Sequence, residues 1–392
     1  MSLTSGLKSP RTPLRRFLDR EVTAGSTRLR ANYRARLPLH PPILPGEGVG
    51  YEAGTVGTAI DQRLRLAFTC AEPVDAATVD GIKNCLLTAR TLRGQPWQVI
   101  AEVGQQLAEQ LTTAVAELQL DGRGQPMMRA DDDEERLARM LLAAAWYALN
   151  YRNPFAFPDT PLCKAALADP RGFTLKTLLA VPHRHLVDDL LAQLHAAEDG
   201  ALNRLRARTP AELCRPGPTF DGSAYVSADA DLIADGVLVE FKSTRNIHAF
   251  DLVTIQQLLG YTLMDYTDAH RIDQVAVYLS RAGTFINWPL EDYLALLGTR
   301  RRDLVELRTV FATLLAYEGC RADDDPLPHQ LADVERLLAD LVAPVPAGCC
   351  LVCAQPLAAM NFTTARIRRY CSAWYSQRAV TLRRRGWLTL PD

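Results

Sequence analysis

The sequence has no apolar stretch approaching the ~18 residues that a membrane span requires; its longest candidate is the run Met140 to Leu149. Lys8, Arg11, Arg15 and Arg16 are followed by no apolar segment, which is not the pattern of a secretory signal. A cytoplasmic protein without a membrane partner is therefore expected. A glycine-rich phosphate loop and a Gly-x-Ser-x-Gly elbow are both missing, so neither a P-loop nucleotide hydrolase nor a serine hydrolase is supported. There is no internal repeat, and the net charge of 392 residues is only -1. The nine cysteines are too scattered for a disulfide framework, apart from Cys349, Cys350, Cys353 and Cys371. In a reducing compartment such a cluster is more often a metal site.

What the chain does have is enough apolar content, 48%, to build two or three packed units. Its charge is unevenly spread. Residues 1–36 hold nine Lys and Arg against Asp19 and Glu21, and residues 345–392 hold seven Arg against Asp392 alone. Both ends thus offer positive charge to a phosphate backbone, or form a solvated tail. Helical periodicity predicts helices over about 57–68, 79–92, 97–118, 134–149 and 185–205. From Thr219 to Thr244 the texture turns to alternating small and β-branched residues. A helix over about 250–266, strands over 274–280 and 284–288, and helices over about 290–316 and 330–341 follow.

The Asp235-Gly236 pair between two alternating runs is a strong signal for a two-residue hairpin turn. Ala234 then faces Val237, Asp231 faces Glu240, and Asp229 faces Lys242. Alternation puts Asp229, Asp231, Glu240 and Lys242 on one face and Ala230, Leu232, Val237, Val239 and Phe241 on the other. Carboxylates directly across a strand pair, with β-carbons about 5 Å apart, repel unless something positive lies between them. A hard divalent cation such as Mg²⁺, which takes oxygen ligands, suits that place. Lys242 would point into the same space, to orient the attacking water or offset charge on a phosphate. The plainer alternative is a wet hairpin in which Lys242 bridges Asp229 or Asp231. The apolar run Val237 to Phe241 argues for an interior strand, where charges need a reason to be.

Asp231 followed by Glu240-Phe241-Lys242 resembles the PD-(D/E)XK nuclease superfamily, in which the acidic residues bind the metal and the lysine assists hydrolysis. Ile255-Gln256-Gln257-Leu258-Leu259-Gly260-Tyr261 is similar to the Gln-bearing helix of the RecB-like branch, with Gln257 the better match. Gly57-Thr58-Ala59-Ile60-Asp61 is similar to that branch's first-helix motif. Asp61 stands where a His or Glu is usual, which makes it a candidate extra metal ligand with a shorter reach. The resemblance covers about 54–70 and 219–288. It implies an α/β fold with a restriction-endonuclease-like mixed sheet and a large helical insertion. The activity implied is Mg²⁺- or Mn²⁺-dependent deoxyribonuclease chemistry with a metal-activated water, with Asp231, Glu240, Lys242 and Gln257 as site residues. By analogy it also implies a part in phage defence or DNA repair with a protein partner. The competing expectation is a non-catalytic nucleic-acid-binding scaffold that retains the fold.

At the C-terminus, Cys350-Leu-Val-Cys353 and Cys371 look like a small zinc finger whose expected fourth cysteine is replaced by Tyr375. Cys349 is the substitute ligand, unless the finger holds no metal. An Fe-S cluster, as in some relatives of that branch, wants a cysteine before Cys70, and there is none. Arg368, Arg369, Arg378, Arg383, Arg384 and Arg385, interleaved with aromatics, are the candidate nucleic-acid contacts. His183, His185 and His195 read as solvated or capping residues, and Asp131 to Glu135 as an acidic helix start. The expected organisation is a basic arm (1–50), the first core helix (51–75), a helical insertion (76–215), the nuclease core (216–345) and a small Cys/Arg-rich tail (346–392).

Overall fold

The computed structural model describes residues 2–22, 26–48, 52–92, 95–301, 303–321, 326–345, 347–352, 357, 369–371 and 373–384. Three helices open the chain: α1 (Leu3–Lys8), α2 (Pro13–Glu21) and α3 (Ser26–Arg34). A run of eight follows: α4 (Ala53–Phe68), α5 (Ala76–Leu92), α6 (Gln95–Leu118), α7 (Asp131–Arg152), α8 (Pro161–Ala168), α9 (Leu175–Ala180), α10 (Arg184–Glu198) and α11 (Ala201–Arg208). Then come β1 (Cys214–Pro216), β2 (Leu232–Ala234), β3 (Val237–Lys242), α12 (Leu252–Met264), β4 (Gln274–Leu279) and β5 (Thr284–Pro289). The chain continues through α13 (Leu290–Leu297), α14 (Leu304–Ala316), α15 (Leu331–Leu341) and α16 (Ala373–Arg384). Among the described residues, no helix is long and apolar enough to cross a membrane.

Among the described residues, five strands form one mixed sheet in the order β1-β2-β3-β4-β5, antiparallel except for the parallel pair β3/β4. A parallel neighbour cannot be reached by a tight turn, and the crossover from β3 to β4 is α12. Both faces of the sheet are buried. Leu232, Val237, Val239, Phe241, Ala276 and Tyr278 pack against the layer built from α4 to α11. Ile233, Leu238, Val275, Val277 and Leu279 pack against α1 to α3 and α12 to α15. Burial on both sides explains why β3 reads as an unbroken apolar run ending in Glu240 and Lys242.

Two long helices expected from periodicity are each broken in two. The 185–205 span divides between α10 and α11 at Asp199-Gly200, and the 290–316 span between α13 and α14 after Gly298. The basic N-terminal residues form neither a free arm nor a solvated tail. Thr12 caps α2, with Pro13 at its first position, and Leu14, Phe17, Leu18, Leu29 and Tyr33 are buried in the second core. Several of their arginines are tied to the protein's own groups. Arg15 pairs with Asp19, Arg16 with Glu335, Arg30 donates to the Phe250 carbonyl, and Arg36 lies over the Trp288 ring.

The helical layer is fastened to the sheet at the carboxyl end of β4. Arg281, just past that strand, makes two hydrogen bonds of 2.6 and 2.7 Å to Asp189 of α10, and both side chains are almost fully buried. Gln193, one turn along the same helix, accepts hydrogen bonds from Ser243 and Ser280. Removing one partner of such a pair strands the other charge in the core. Asp189→Ala should therefore lower stability by about 3–5 kcal/mol in urea denaturation, whereas Asp189→Leu combined with Arg281→Met should recover most of the loss.

Candidate functional site

Asp235 (φ 48°) and Gly236 (φ 79°) are both left-handed, which is the two-residue turn whose twist matches the flanking strands. A side chain at Gly236 would also meet the Arg271 carbonyl at 2.9 Å. The turn sets the expected register, Ala234 to Val237, Ile233 to Leu238 and Leu232 to Val239. There the ladder stops. The chain before Leu232 turns to residues 217–219 instead: Gly217 donates to the Asp231 carbonyl, Ala230 donates to Pro218, and Asp229 bridges Thr219. Asp229 is consequently exposed on a cleft wall and not opposite Lys242, and Ala230 packs with the core on the other side of the sheet from Leu232. Continued alternation fails at the point where the strand leaves its partner.

That departure sets the role of Asp231. A continued ladder would pair the Phe241 amide with the Ala230 carbonyl. The amide instead donates to Asp231 Oδ2 at 2.7 Å, so the carboxylate closes the open end of the hairpin. Its other oxygen accepts from Arg65 of α4 at 3.0 Å. Glu240 is 3% exposed. Its Oε1 takes the Lys242 ammonium at 2.6 Å, while its buried Oε2 has no hydrogen-bond partner among the described residues. Burial, with Asp231 adding to it, pushes the Glu240 carboxyl up to about 7 against the opposing pull of Lys242. Burial lowers the Lys242 ammonium, but Glu240 and Asp231 together outweigh it, so the lysine stays charged beyond its ordinary range. Lys242 thus bridges neither Asp229 nor Asp231 but its own strand neighbour.

Helix α4 brings Asp61 to the same place. Arg65, one turn further along α4, is forked between the two acids: Nε donates to Asp61 Oδ1 at 3.0 Å, and Nη2 reaches both Asp61 and Asp231. Burial raises the Asp61 carboxyl, Arg65 opposes that, and Asp231 and Glu240 add to the rise. From α12, Gln257 donates to the Tyr261 hydroxyl at 2.7 Å, and Tyr261 stacks on Phe220. Burial and the nearby Glu240 and Asp231 hold the Tyr261 phenol well above its usual range, hence protonated. Gln256 points the other way, to Asp19 of α2. Arg65, Asp229 and Tyr261 line a cleft of about 840 Å³, which Glu72, Asp75, Asp80 and Arg152 also line. Arg65 had no sequence signal beyond its spacing, four residues after Asp61 on a helix.

Of the candidate zinc ligands, Cys350 is buried in a small cluster with Val352 and Ala379 that Cys371 flanks, and Cys349 is half-buried. The Cys371 sulfur accepts from Arg28 of α3 at 3.6 Å. Cys353 lies outside the described residues, as do Arg368 and Arg385. Arg369, Arg383 and Arg384 are exposed, the last two near the end of α16, and Arg378 lies on the same helix. His183 caps α10 by accepting from the His185 amide, and Asp131 to Glu134 open α7, where Glu134 pairs with buried Arg63.

Among the described residues, no group of three or more His, Cys, Asp and Glu is arranged to hold a metal ion. Asp231 and Glu240 nonetheless offer the chemistry a hard cation prefers, since Mg²⁺ needs only one or two carboxylates beside water and phosphate oxygens. The unpartnered Glu240 Oε2 is an oxygen donor of that kind. Asp61 can join them only if Arg65 leaves.

The charge on Glu240 has a cost that pH exposes. Its folded value, about 7, lies above the ordinary 4.5, so the folded state holds a proton that the unfolded state has lost. The corresponding stability is present below pH 4.5 and is lost as pH rises through 7. Metal-free protein should lose about 2 kcal/mol between pH 5 and 8 from this group, and Glu240→Gln should flatten that part of the profile in chelator-treated samples. No protein-family model, no curated protein and no solved structure matches the chain, so the reading of the site rests on its own geometry.

Proposed function

We propose that the chain is a divalent-metal-dependent nuclease that hydrolyses DNA phosphodiester bonds on a restriction-endonuclease-like core. The observation that carries this reading is Glu240, a buried carboxylate at the end of an interior strand with one oxygen unpartnered and Lys242 and Asp231 beside it. A strand buried on both faces gains nothing in stability from such a group, so its presence calls for a chemical reason. Support comes also from the sheet, in which the hairpin is followed by a crossover helix and a parallel strand, and from α12, which presents Gln257 and Tyr261 toward the same end.

Asp231 and Glu240 would hold Mg²⁺ or Mn²⁺, which when bound would supply Lewis-acid stabilisation of the charge that builds on the phosphate. Lys242, charged and hydrogen-bonded to Glu240, sets a positive group beside the reacting phosphorus and orients the water that attacks it. The Asp231 bond to the Phe241 amide fixes the carboxylates across the hairpin. Gln257 holds the Tyr261 hydroxyl, which positions the cleft wall against the substrate backbone. The exposed Arg369, Arg383 and Arg384 supply positive charge for DNA, whereas the N-terminal arginines described above are engaged within the protein. A role in defence or repair, with a protein partner, is in keeping with such an enzyme.

One observation favours a second reading. The Arg65 guanidinium neutralises Asp61 and Asp231 from within, as a nucleic-acid-binding scaffold without metal would require. Cleavage of labelled single- and double-stranded DNA by purified protein separates the two. Under the nuclease reading, Mn²⁺ or Mg²⁺ supports cleavage that EDTA abolishes, and Lys242→Ala or Glu240→Gln lowers the rate at least ~100-fold with folding intact. DNA binding without cleavage of any substrate would favour the scaffold.

A further inference from the structure

We propose that Arg65 is a built-in counter-ion that the divalent cation displaces, and that the displaced guanidinium then takes a phosphate of the bound substrate. The proposal rests on the metal-dependent reading of the same site. Arg65 Nε and Nη2 are engaged by Asp61 and Asp231, so the guanidinium occupies the space between two carboxylates that a cation would share. With Glu240 and Lys242 the cluster holds three carboxyl groups against two cationic groups. Adding a divalent ion without moving Arg65 would put four positive charges among at most three negative ones at close range. Moving Arg65 away lets Asp61 turn to the ion as well.

The third guanidinium nitrogen points to where Arg65 would go. Nη1 makes no hydrogen bond within the described protein, and Arg65 lines the cleft. It lies beside Gly217, where a β-carbon would stand 3.5 Å from it. The absence of a side chain at Gly217 leaves this nitrogen open to the cleft. A guanidinium is a planar fork suited to two phosphate oxygens as well as to two carboxylate oxygens. A phosphodiester entering the cleft therefore exchanges partners with the acids: the anion takes Arg65, and the freed carboxylates take the cation. Each ligand removes part of the cost of binding the other, and that coupling is reciprocal.

Mn²⁺ binding to the full chain, followed by electron paramagnetic resonance, tests this without relying on cleavage. Glu240→Gln serves as the control for the site, and dimethyl phosphate is the phosphodiester probe. The expected result is that Arg65→Gln binds Mn²⁺ at least about tenfold tighter than wild type, because a competing positive charge is gone. Dimethyl phosphate should tighten Mn²⁺ binding several-fold in wild type and much less in Arg65→Gln. If Arg65→Gln does not fold, Arg65→Lys, which keeps the charge but not the fork, should bind Mn²⁺ about two- to threefold tighter than wild type. Mn²⁺ binding that Glu240→Gln abolishes, but that both Arg65 variants leave unchanged or weaken, would overturn the displacement while leaving the metal reading intact. No Mn²⁺ binding sensitive to Glu240→Gln in any variant would overturn both.

Discussion

The interior position of β3 is the constraint from which the rest follows. A strand covered on both faces has no solvent to receive its polar groups, so the charges at its end must be answered by groups brought from elsewhere. Lys242 answers one Glu240 oxygen, and nothing described answers the other. Asp231 is answered twice, by a backbone amide of β3 and by a guanidinium from α4. The site is therefore not attached to the fold as an extra. It is the place where the hairpin opens, α4 arrives and the sheet runs out of partners.

Holding these parts in register falls to polar links between layers. The Arg281 to Asp189 pair and the Gln193 bonds to Ser243 and Ser280 pin α10 against the ends of β3 and β4, directly beyond Lys242. On the other face, Leu3 donates to the Ser227 carbonyl, and α1 packs on α12, where Leu3 lies against Gly260. The N-terminal segment thereby closes one side of the cleft that Arg65 and Tyr261 line. Apolar burial supplies most of the stability, but it is non-directional. Bidentate charge pairs and side-chain amide bonds fix how the layers are set against each other.

Much of this was legible in the chain because it depends on neighbours in sequence. Asp235-Gly236 dictated the turn, the turn dictated the register, and the register put Asp231 near Glu240. The apolar run of β3 announced an interior strand. What depended on distance along the chain was not legible. Nothing local says that Ala230 will leave β3 for Pro218, so alternation carried Asp229 to the wrong place. Arginine density at the N-terminus looked like a phosphate-seeking arm because partners such as Glu335 lie more than 300 residues away. β1, three residues long, is too short to leave a pattern, and the eight-helix layer became one body only through packing.

Arg65 is the sharpest case, since its meaning lies wholly in what it stands between. On a helical wheel it is one half of an ordinary i,i+4 pair with Asp61, a pairing that at a surface contributes a few tenths of a kcal/mol. Folding places Asp231 against the same nitrogen, and the pair becomes a cluster of three ionisable groups beside the buried carboxyl of Glu240. An arginine there makes the carboxylates tolerable in the core without filling the need of Glu240 Oε2. Under the proposed reading, a site neutralised completely would have no affinity for a cation, and one not neutralised at all would be costly to bury. Two cationic groups against three carboxyl groups lie between these limits, and this is the balance the chain has.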